Sequence, residues 1–120
     1  MVNCIVVDDN QDVIDVFCDL LSMSGLDVIA TGTDGMKAVE LYEKYSPDLI
    51  FIDLLMPRYD GFYAIENIRK IDPNSKIIVV TGDLGVDESD LLDLHKVRAV
   101  IYKPFDMHKV KQCITDVFLD

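Results

Sequence analysis

The amino-acid sequence predicts an α/β domain with a five-stranded parallel sheet and helices on both of its faces. Two observations lead to this prediction. Five short apolar runs alternate with five stretches of helical periodicity, which is the pattern of strands joined by helical crossovers. The runs are almost continuously apolar, as expected for strands that are covered on both sides. At 120 residues the chain fits one core, so we expect a single domain over residues 1–120.

The apolar runs mark the strands in order along the chain. They cover approximately residues 3–8, 27–31, 48–53, 76–81 and 98–102. Each run is rich in β-branched or aromatic residues and has the length of a buried strand.

Apolar side chains at three- and four-residue steps predict the helices between these strands. The stripes at 13–21 and 110–118 predict the first and last helices. Shorter stripes at 38–45 and 64–71 predict the second and third. The fourth segment, 86–94, has the poorest helical pattern, because aspartate and glutamate occupy many of its positions.

Polar residues ahead of the stripes predict where three helices begin. Either Asn10 or Asp12 is suited to cap the first helix, and Asp34 is suited to cap the second. Asp60 and Gly61 precede the third stripe, where Gly61 permits a close approach of the backbone.

The charge balance limits the partners of the chain. It has 11 Lys+Arg against 22 Asp+Glu, a formal net charge of −11. Since binding to nucleic acid depends on neutralising phosphates, we expect no direct nucleic-acid contact, and a basic protein surface is the better match. The apolar runs are only about four residues long, which is too short to cross a membrane.

The cysteines and the N-terminus indicate the compartment. Cys4, Cys18 and Cys113 are isolated in sequence and fall in strand or helix patterns, so we expect buried or half-buried thiols rather than a disulfide or zinc set. The first residues lack the basic region and the apolar stretch of a secretory signal. We therefore expect a protein of the reducing cytoplasm.

Charged and polar residues follow four of the predicted strands at or near their ends: Asp8, Asp9, Asp53, Thr81 and Lys103. In open parallel sheets, ligands bind beyond these carboxyl ends. Clustered carboxylates are unfavourable unless they are compensated, and a divalent cation such as Mg²⁺ compensates them with oxygen ligands. An aspartate beside such an ion can attack a phosphoryl group, while a lysine and a hydroxyl hold the phosphoryl oxygens.

Four short segments match the motifs of a known signalling family. They are Val6–Asn10, Asp53–Pro57 with Asp60–Gly61, Val79–Gly82 and Tyr102–Phe105. On these segments the chain resembles the receiver domains of two-component response regulators over essentially its full length. The resemblance implies a flavodoxin-like fold with strand order 2-1-3-4-5 and a cis bond before Pro104.

The resemblance also implies the roles of the site residues. Asp53 would receive a phosphoryl group from the phosphohistidine of a histidine kinase or a phosphotransfer protein. Mg²⁺ would be bound by Asp8, Asp9, Asp53 and the backbone carbonyl of Leu55. The remaining two residues, Thr81 and Lys103, would contact the phosphoryl group.

A receiver of this kind would be a switch rather than an enzyme acting on an outside substrate. It would catalyse only its own phosphorylation and dephosphorylation, and the added charge would shift an equilibrium between two surfaces. We expect the helix 86–94, the strand 98–102 and the helix 106–119 to form the responding surface. Its partner would be another receiver, an output domain or a downstream protein. Both a stand-alone receiver and one domain of a longer regulator fit the chain.

Val100 departs from the family pattern, and Leu55 flanks the expected reaction centre. Val100 stands three residues before Lys103, where receivers usually carry an aromatic residue that reports phosphorylation. Tyr102 shares a strand face with Val100 and offers a different response. Leu55, two residues after Asp53, has no polar side chain to orient a water molecule, so we expect it to shield the acyl phosphate.

Three other functions fit the sequence less well than a receiver does. A phosphatase with an aspartate nucleophile usually has a second aspartate where this chain has Leu55. A flavin-binding module would need a phosphate loop after the first strand, where Asp8 and Asp9 would repel a phosphate. A pseudo-receiver that acts as a scaffold is disfavoured by the complete acidic set, although Val100 is consistent with it.

Overall fold

The computed structural model describes residues 1–119 and confirms the predicted sheet. The strands are β1 (Asn3–Val7), β2 (Asp27–Gly32), β3 (Leu49–Ile52), β4 (Ile77–Thr81) and β5 (Ala99–Tyr102). All neighbouring strands pair in parallel, in the order β2-β1-β3-β4-β5. Because β1 ends at Val7 and β3 at Ile52, Asp8 and Asp53 directly follow two central strands. The last position of the predicted domain, Asp120, lies outside the described residues.

Five helices connect or follow the strands. They are α1 (Gln11–Met23), α2 (Gly35–Tyr45), α3 (Gly61–Ile71), α4 (Glu88–Asp93) and α5 (Met107–Leu119). The fourth helix is shorter than the predicted segment 86–94. It begins late because Asp87 has extended backbone angles and its side chain accepts a hydrogen bond from the Ser89 N–H at 2.8 Å. Across residues 1–119, no helix combines the length and apolar character needed to span a membrane.

The sheet separates two apolar layers, because successive side chains of a strand point to opposite faces. In β1, Ile5 and Val7 belong to the core layer that includes residues of α2, α3 and α4, whereas Cys4 and Val6 belong to the layer that includes residues of α1 and α5. The central strands β3 and β4 are buried along their whole length. Burial on both faces explains why these strands are continuous apolar runs in the sequence.

The caps predicted from sequence fix the starts of three helices. Asn10, not Asp12, caps α1, and its side chain accepts hydrogen bonds from the Asp12 and Val13 N–H groups. Asp34 caps α2 and Asp60 caps α3 in the same way. Asn10 and Asp34 follow closely on the carboxyl ends of β1 and β2, so these capping side chains also fix the loops at that edge of the sheet.

Candidate functional site

Three carboxylates meet at the carboxyl ends of β1 and β3. Ligand oxygens of Asp8, Asp9 and Asp53 all lie within 4.8 Å of one another. Asp8 and Asp53 are buried, at 3% and 5% exposure, while Asp9 is exposed. The backbone sets this arrangement, since the Asp53 N–H donates to the carbonyl of Val7 at 3.0 Å. The predicted acidic cluster is therefore present.

Lys103 reaches the carboxylates from the end of β5. Its Nζ lies 2.6 Å from Oδ2 of Asp8 and 3.5 Å from Oδ2 of Asp53. The Lys103–Pro104 peptide bond is cis, as the family resemblance implied. The backbone N–H of Lys103 donates to the carbonyl of Thr81 at 2.8 Å, which ties the lysine to the end of β4. Lys103 is thus the counter-charge of the acidic cluster.

Burial and the neighbouring charges together change the pKa values of Asp53 and Lys103. Burial raises the pKa of Asp53 to about 6, and Asp8 and Asp9 add to the shift, while Lys103 opposes it. Burial by itself would lower the pKa of Lys103, but contacts with Asp8 and Asp53 raise it above the usual value. Asp53 therefore remains largely ionised at neutral pH, and Lys103 remains a cation.

Thr81 ends β4 and is fully buried at the same edge of the sheet. Its Oγ1 accepts a hydrogen bond from the Asp83 N–H at 3.0 Å. This contact leaves the hydroxyl hydrogen of Thr81 free to donate to another oxygen. The side chain of Asp83 closes its own turn, since its Oδ1 accepts from the Gly85 N–H at 2.9 Å.

The loop from Asp53 to Gly61 is held by close backbone contacts at two glycines. A side chain at Gly61 would overlap the carbonyl oxygen of Asp53, so this position admits only glycine without movement. A side chain at Gly35, the first residue of α2, would overlap the carbonyl oxygen of Asp60. The Gly35 N–H also donates to the carbonyl of Tyr59 at 2.6 Å. Sequence reasoning found Gly61 but missed Gly35, whose only local signal is its place after the helix cap Asp34.

Within this loop, buried and exposed side chains alternate. Leu54 and Met56 are buried in the core, while Leu55 is 60% exposed. The side chain of Leu55 therefore lies at the rim of the site.

Val100, which departs from the family pattern, lies on the same face of β5 as Tyr102. Val100 is half-buried and packs against the core layer of α2, α3 and α4. Tyr102 is half-buried as well, and its pKa is raised first by burial and then by the carboxylate of Glu88 on α4. This aromatic side chain therefore lies near α4.

The donor set at the site has the chemistry of a magnesium site. Two of the clustered carboxylates are buried, and their oxygens converge without nitrogen or sulfur donors in the cluster. Mg²⁺ prefers oxygen ligands and is commonly held by one or two carboxylates together with water and phosphoryl oxygens. The residues present fit this ion.

Fold and site together define the class of protein. The chain belongs to the family of response regulator receiver domains, whose model matches residues 4–115. Members of this family are switch domains of two-component phosphorelay systems and are not enzymes in the ordinary sense.

Among individual proteins, the chain is similar to chemotaxis proteins CheY. It is 34% identical to CheY of Thermotoga maritima over 115 residues, which cover 94% of each chain. It is also 34% identical to CheY of Bacillus subtilis, over 92% of each chain. The CheX-CheY-BeF3-Mg+2 complex from Borrelia burgdorferi contains a chain that matches with a TM-score of 0.91 and 29% identity, covering 99% of this chain and 90% of that one.

Proposed function

We propose that this receiver domain accepts a phosphoryl group on Asp53 in the presence of Mg²⁺ and thereby switches a protein-binding surface. The observation that carries the proposal is the convergence of three carboxylates and one ammonium group. Asp8, Asp9 and Asp53 offer oxygens within 4.8 Å of one another, and Lys103 lies 3.5 Å from Asp53.

The chemistry would be a transfer from nitrogen to oxygen. A carboxylate oxygen of Asp53 forms a bond to phosphorus, the P–N bond of a phosphohistidine breaks, and the imidazole leaves with the electron pair. Although the pKa of Asp53 is raised to about 6, it stays below neutral pH, so the attacking carboxylate is ionised there. Lys103, 3.5 Å from Asp53, and the hydroxyl hydrogen of Thr81 would donate to phosphoryl oxygens.

Asp8, Asp9, Asp53 and the backbone carbonyl of Leu55 would hold the metal. When bound, Mg²⁺ supplies positive charge that offsets the charge of the phosphoryl oxygens. The family relationship supports this choice, because the Borrelia burgdorferi neighbour is a complex with Mg²⁺ and BeF3.

We further propose the partners of the switch. The phosphoryl donor would be a histidine kinase or a phosphotransfer protein in the cytoplasm. The responding surface would include α4, β5 and α5, within residues 86–119. Tyr102 of β5 supports this assignment, since burial and then the carboxylate of Glu88 on α4 raise its pKa. A downstream protein, an output domain or another receiver would read the change.

The test is incubation with acetyl phosphate and Mg²⁺ followed by measurement of the intact mass. We expect the wild type to gain one phosphoryl group and Asp53→Asn to gain none. Asp116→Asn, which removes an exposed aspartate of α5, is the matched control and should be phosphorylated like the wild type. Addition of EDTA should stop the reaction. Equal labelling of Asp53→Asn and the wild type would overturn the proposal.

Leu55 sets the lifetime of the phosphoryl group in this proposal. Because it is apolar and lies at the rim, it shields the acyl phosphate from water without orienting a water molecule. This property disfavours a phosphatase that turns over outside substrates. In the same assay, Leu55→Asn should change the rate at which the label is lost, and an unchanged rate would contradict the role of Leu55.

A further inference from the structure

A groove lies on the molecule away from the acidic site, between α3 and the segment Leu94–Lys96. It has a volume of about 540 Å³. Its apolar lining comes from Phe62, Ile65, Pro73 and Leu94. Leu94 is 71% exposed, so it offers a large apolar contact to another molecule. We call this feature the basic groove, because its charged lining is mainly cationic.

The cations of the basic groove are Arg69, Lys70 and Lys96, against one carboxylate, Glu66. The chain as a whole has a net charge of −11, so this local excess runs against the average. Five of the eleven basic residues of the chain lie in the last turn of α3 or within three residues before β4 or β5: Arg69, Lys70, Lys76, Lys96 and Arg98. The groove is therefore a positive region on an acidic protein.

Arg69 is held in place at the edge of the groove. Its Nη2 donates to the carbonyl of Lys96 at 2.6 Å, and its Nη1 lies 3.4 Å from the carbonyl of Pro73. Its Nε is buried and has no hydrogen-bond partner within residues 1–119. A guanidinium fixed by two carbonyls loses little conformational entropy when it binds an anion.

The nearby carboxylates compensate these cations only in part. Glu66 is 3.8 Å from Lys70, and both side chains are largely exposed. Asp72 lies near Arg69 but accepts a hydrogen bond from the hydroxyl of Tyr42 at 2.8 Å. Burial and then the neighbouring Arg98 lower the pKa of Arg69, while Tyr42 and Asp72 oppose the shift.

We propose that the basic groove is a docking site for an acidic segment of another protein, one that presents a large apolar side chain flanked by carboxylates. The apolar side chain would occupy the space beside Phe62, Ile65 and Leu94, and the carboxylates would pair with Lys70, Lys96 and Arg69. This charge pattern is complementary to the groove and opposite to that of the remaining surface, which favours basic partners. The proposal is independent of the phosphorylation of Asp53.

The test uses ¹⁵N-labelled protein in the Asp53→Asn background with EDTA, so that phosphorylation plays no part. The probes are two synthetic peptides of equal length, each with a central Leu-Phe pair, flanked by glutamates in one and by lysines in the other. We expect saturable chemical-shift changes with the glutamate peptide only, at Phe62, Arg69, Leu94 and His95. Raising the salt concentration should weaken the binding.

Variants distinguish binding of the peptide in the groove from a general effect of charge on its affinity. Lys70→Glu combined with Lys96→Glu should weaken the glutamate peptide about tenfold or more, which corresponds to about 1.4 kcal/mol. Leu94→Ser should also weaken it, through loss of apolar contact at a site too exposed to affect folding. The matched control is Lys111→Glu, an exposed lysine of α5, which should leave the affinity within about twofold.

Several results would overturn the proposal. They are equal binding of the two peptides, shifts confined to other surfaces, no saturable shift at millimolar peptide, and an equal loss in the Lys111→Glu control. Dependence of the same shifts on protein concentration without peptide would instead assign the groove to a second copy of this chain. The exposed Leu92 and the acidic α4 of that second copy would then occupy the groove.

Discussion

Lysine–carboxylate pairs lie at both ends of the sheet, and they differ in burial. At the carboxyl edge, Lys103 is 2.6 Å from Asp8, and the two side chains are 24% and 5% exposed. Near the amino edge, Lys70 is 3.8 Å from Glu66, with side chains 68% and 72% exposed. The first pair connects β5 to β1, whereas the second joins neighbouring turns of α3.

Convergence of strands, rather than charge itself, creates the acidic cluster. Three carboxylates at the carboxyl edge are forced together by a sheet that is buried on both faces, and their mutual repulsion is retained. The cations near the amino edge lie on a helix and a loop at the surface, where solvent screens them.

Removing Lys103 should have the largest effect on stability. Lys103→Met keeps most of the side-chain volume but leaves Asp8 and Asp53 buried without a counter-charge. Loss of one partner of a buried pair costs about 3–5 kcal/mol, and we expect the lower end because Lys103 is partly exposed. Urea unfolding in EDTA measures the change. Lys111→Met, at an exposed site, should change the free energy by less than about 0.5 kcal/mol. Equal losses in the two variants would refute the comparison.

Asp53 should make the metal-free fold less stable as the pH rises. Its folded-state pKa, about 6, is above the unfolded value of about 3.9, so the native state binds the proton more tightly. The stabilising contribution is full below about pH 4 and is lost as the pH rises to about 6. Relative to the wild type, Asp53→Asn should therefore gain about 2–3 kcal/mol between these pH values in EDTA.

Two controls check this pH dependence. Asp116→Asn should follow the wild type across the same range. Adding Mg²⁺ at a hundredfold excess over its dissociation constant should stabilise the wild type by about 2.7 kcal/mol. Asp8→Asn and Asp9→Asn should reduce that response. A parallel pH profile for Asp53→Asn and the wild type would contradict the raised pKa.

Gly35→Ala should destabilise the protein by about 1–3 kcal/mol, the usual cost of overpacking. Helix propensity alone predicts the opposite, a gain of up to about 1 kcal/mol on replacing glycine by alanine in a helix. The loss would come from the overlap of the new methyl group with the backbone of Tyr59 and Asp60. The matched control is Gly82→Ala, whose added methyl would lie 3.9 Å from Cβ of Lys103. A net stabilisation by Gly35→Ala, measured by thermal unfolding, would show that the loop is not held there.

The smallest effect is expected at the exposed pair of α3. A double-mutant cycle with Glu66→Gln and Lys70→Met should give a coupling free energy below about 0.5 kcal/mol, reduced further by salt. The same kind of cycle for Lys103 and Asp8 is the reference. An equally large coupling free energy for both pairs would mean that burial does not control the strength of the ion pair.

The sequence predicted the acidic cluster because strand ends are local signals. Asp8 and Asp53 each follow a run of buried apolar residues, and parallel strands bring such ends to one edge. The strand order came from the family resemblance, since alternation of strands and helices does not specify it. Contacts such as Gly35 with Tyr59 depend on how two loops meet in space, and no local pattern predicts them.

The boundaries of α4 show a second limit. The apolar residues at Val86 and Leu94 suggested a helix of full length, but Asp87 caps the helix and shortens it. Val86 instead packs against the core from the loop before the helix. An apolar residue near a helix start contributes to the core from either conformation, so the apolar pattern alone does not decide between them.

The bond between Lys103 and Asp8 joins residues that are 95 positions apart in the chain. During synthesis on the ribosome, the acidic side chains emerge long before the lysine that offsets them. A nascent chain that lacks β5 would hold this edge open through mutual repulsion of its aspartates. The last strand therefore completes both the sheet and the charge balance of its carboxyl edge.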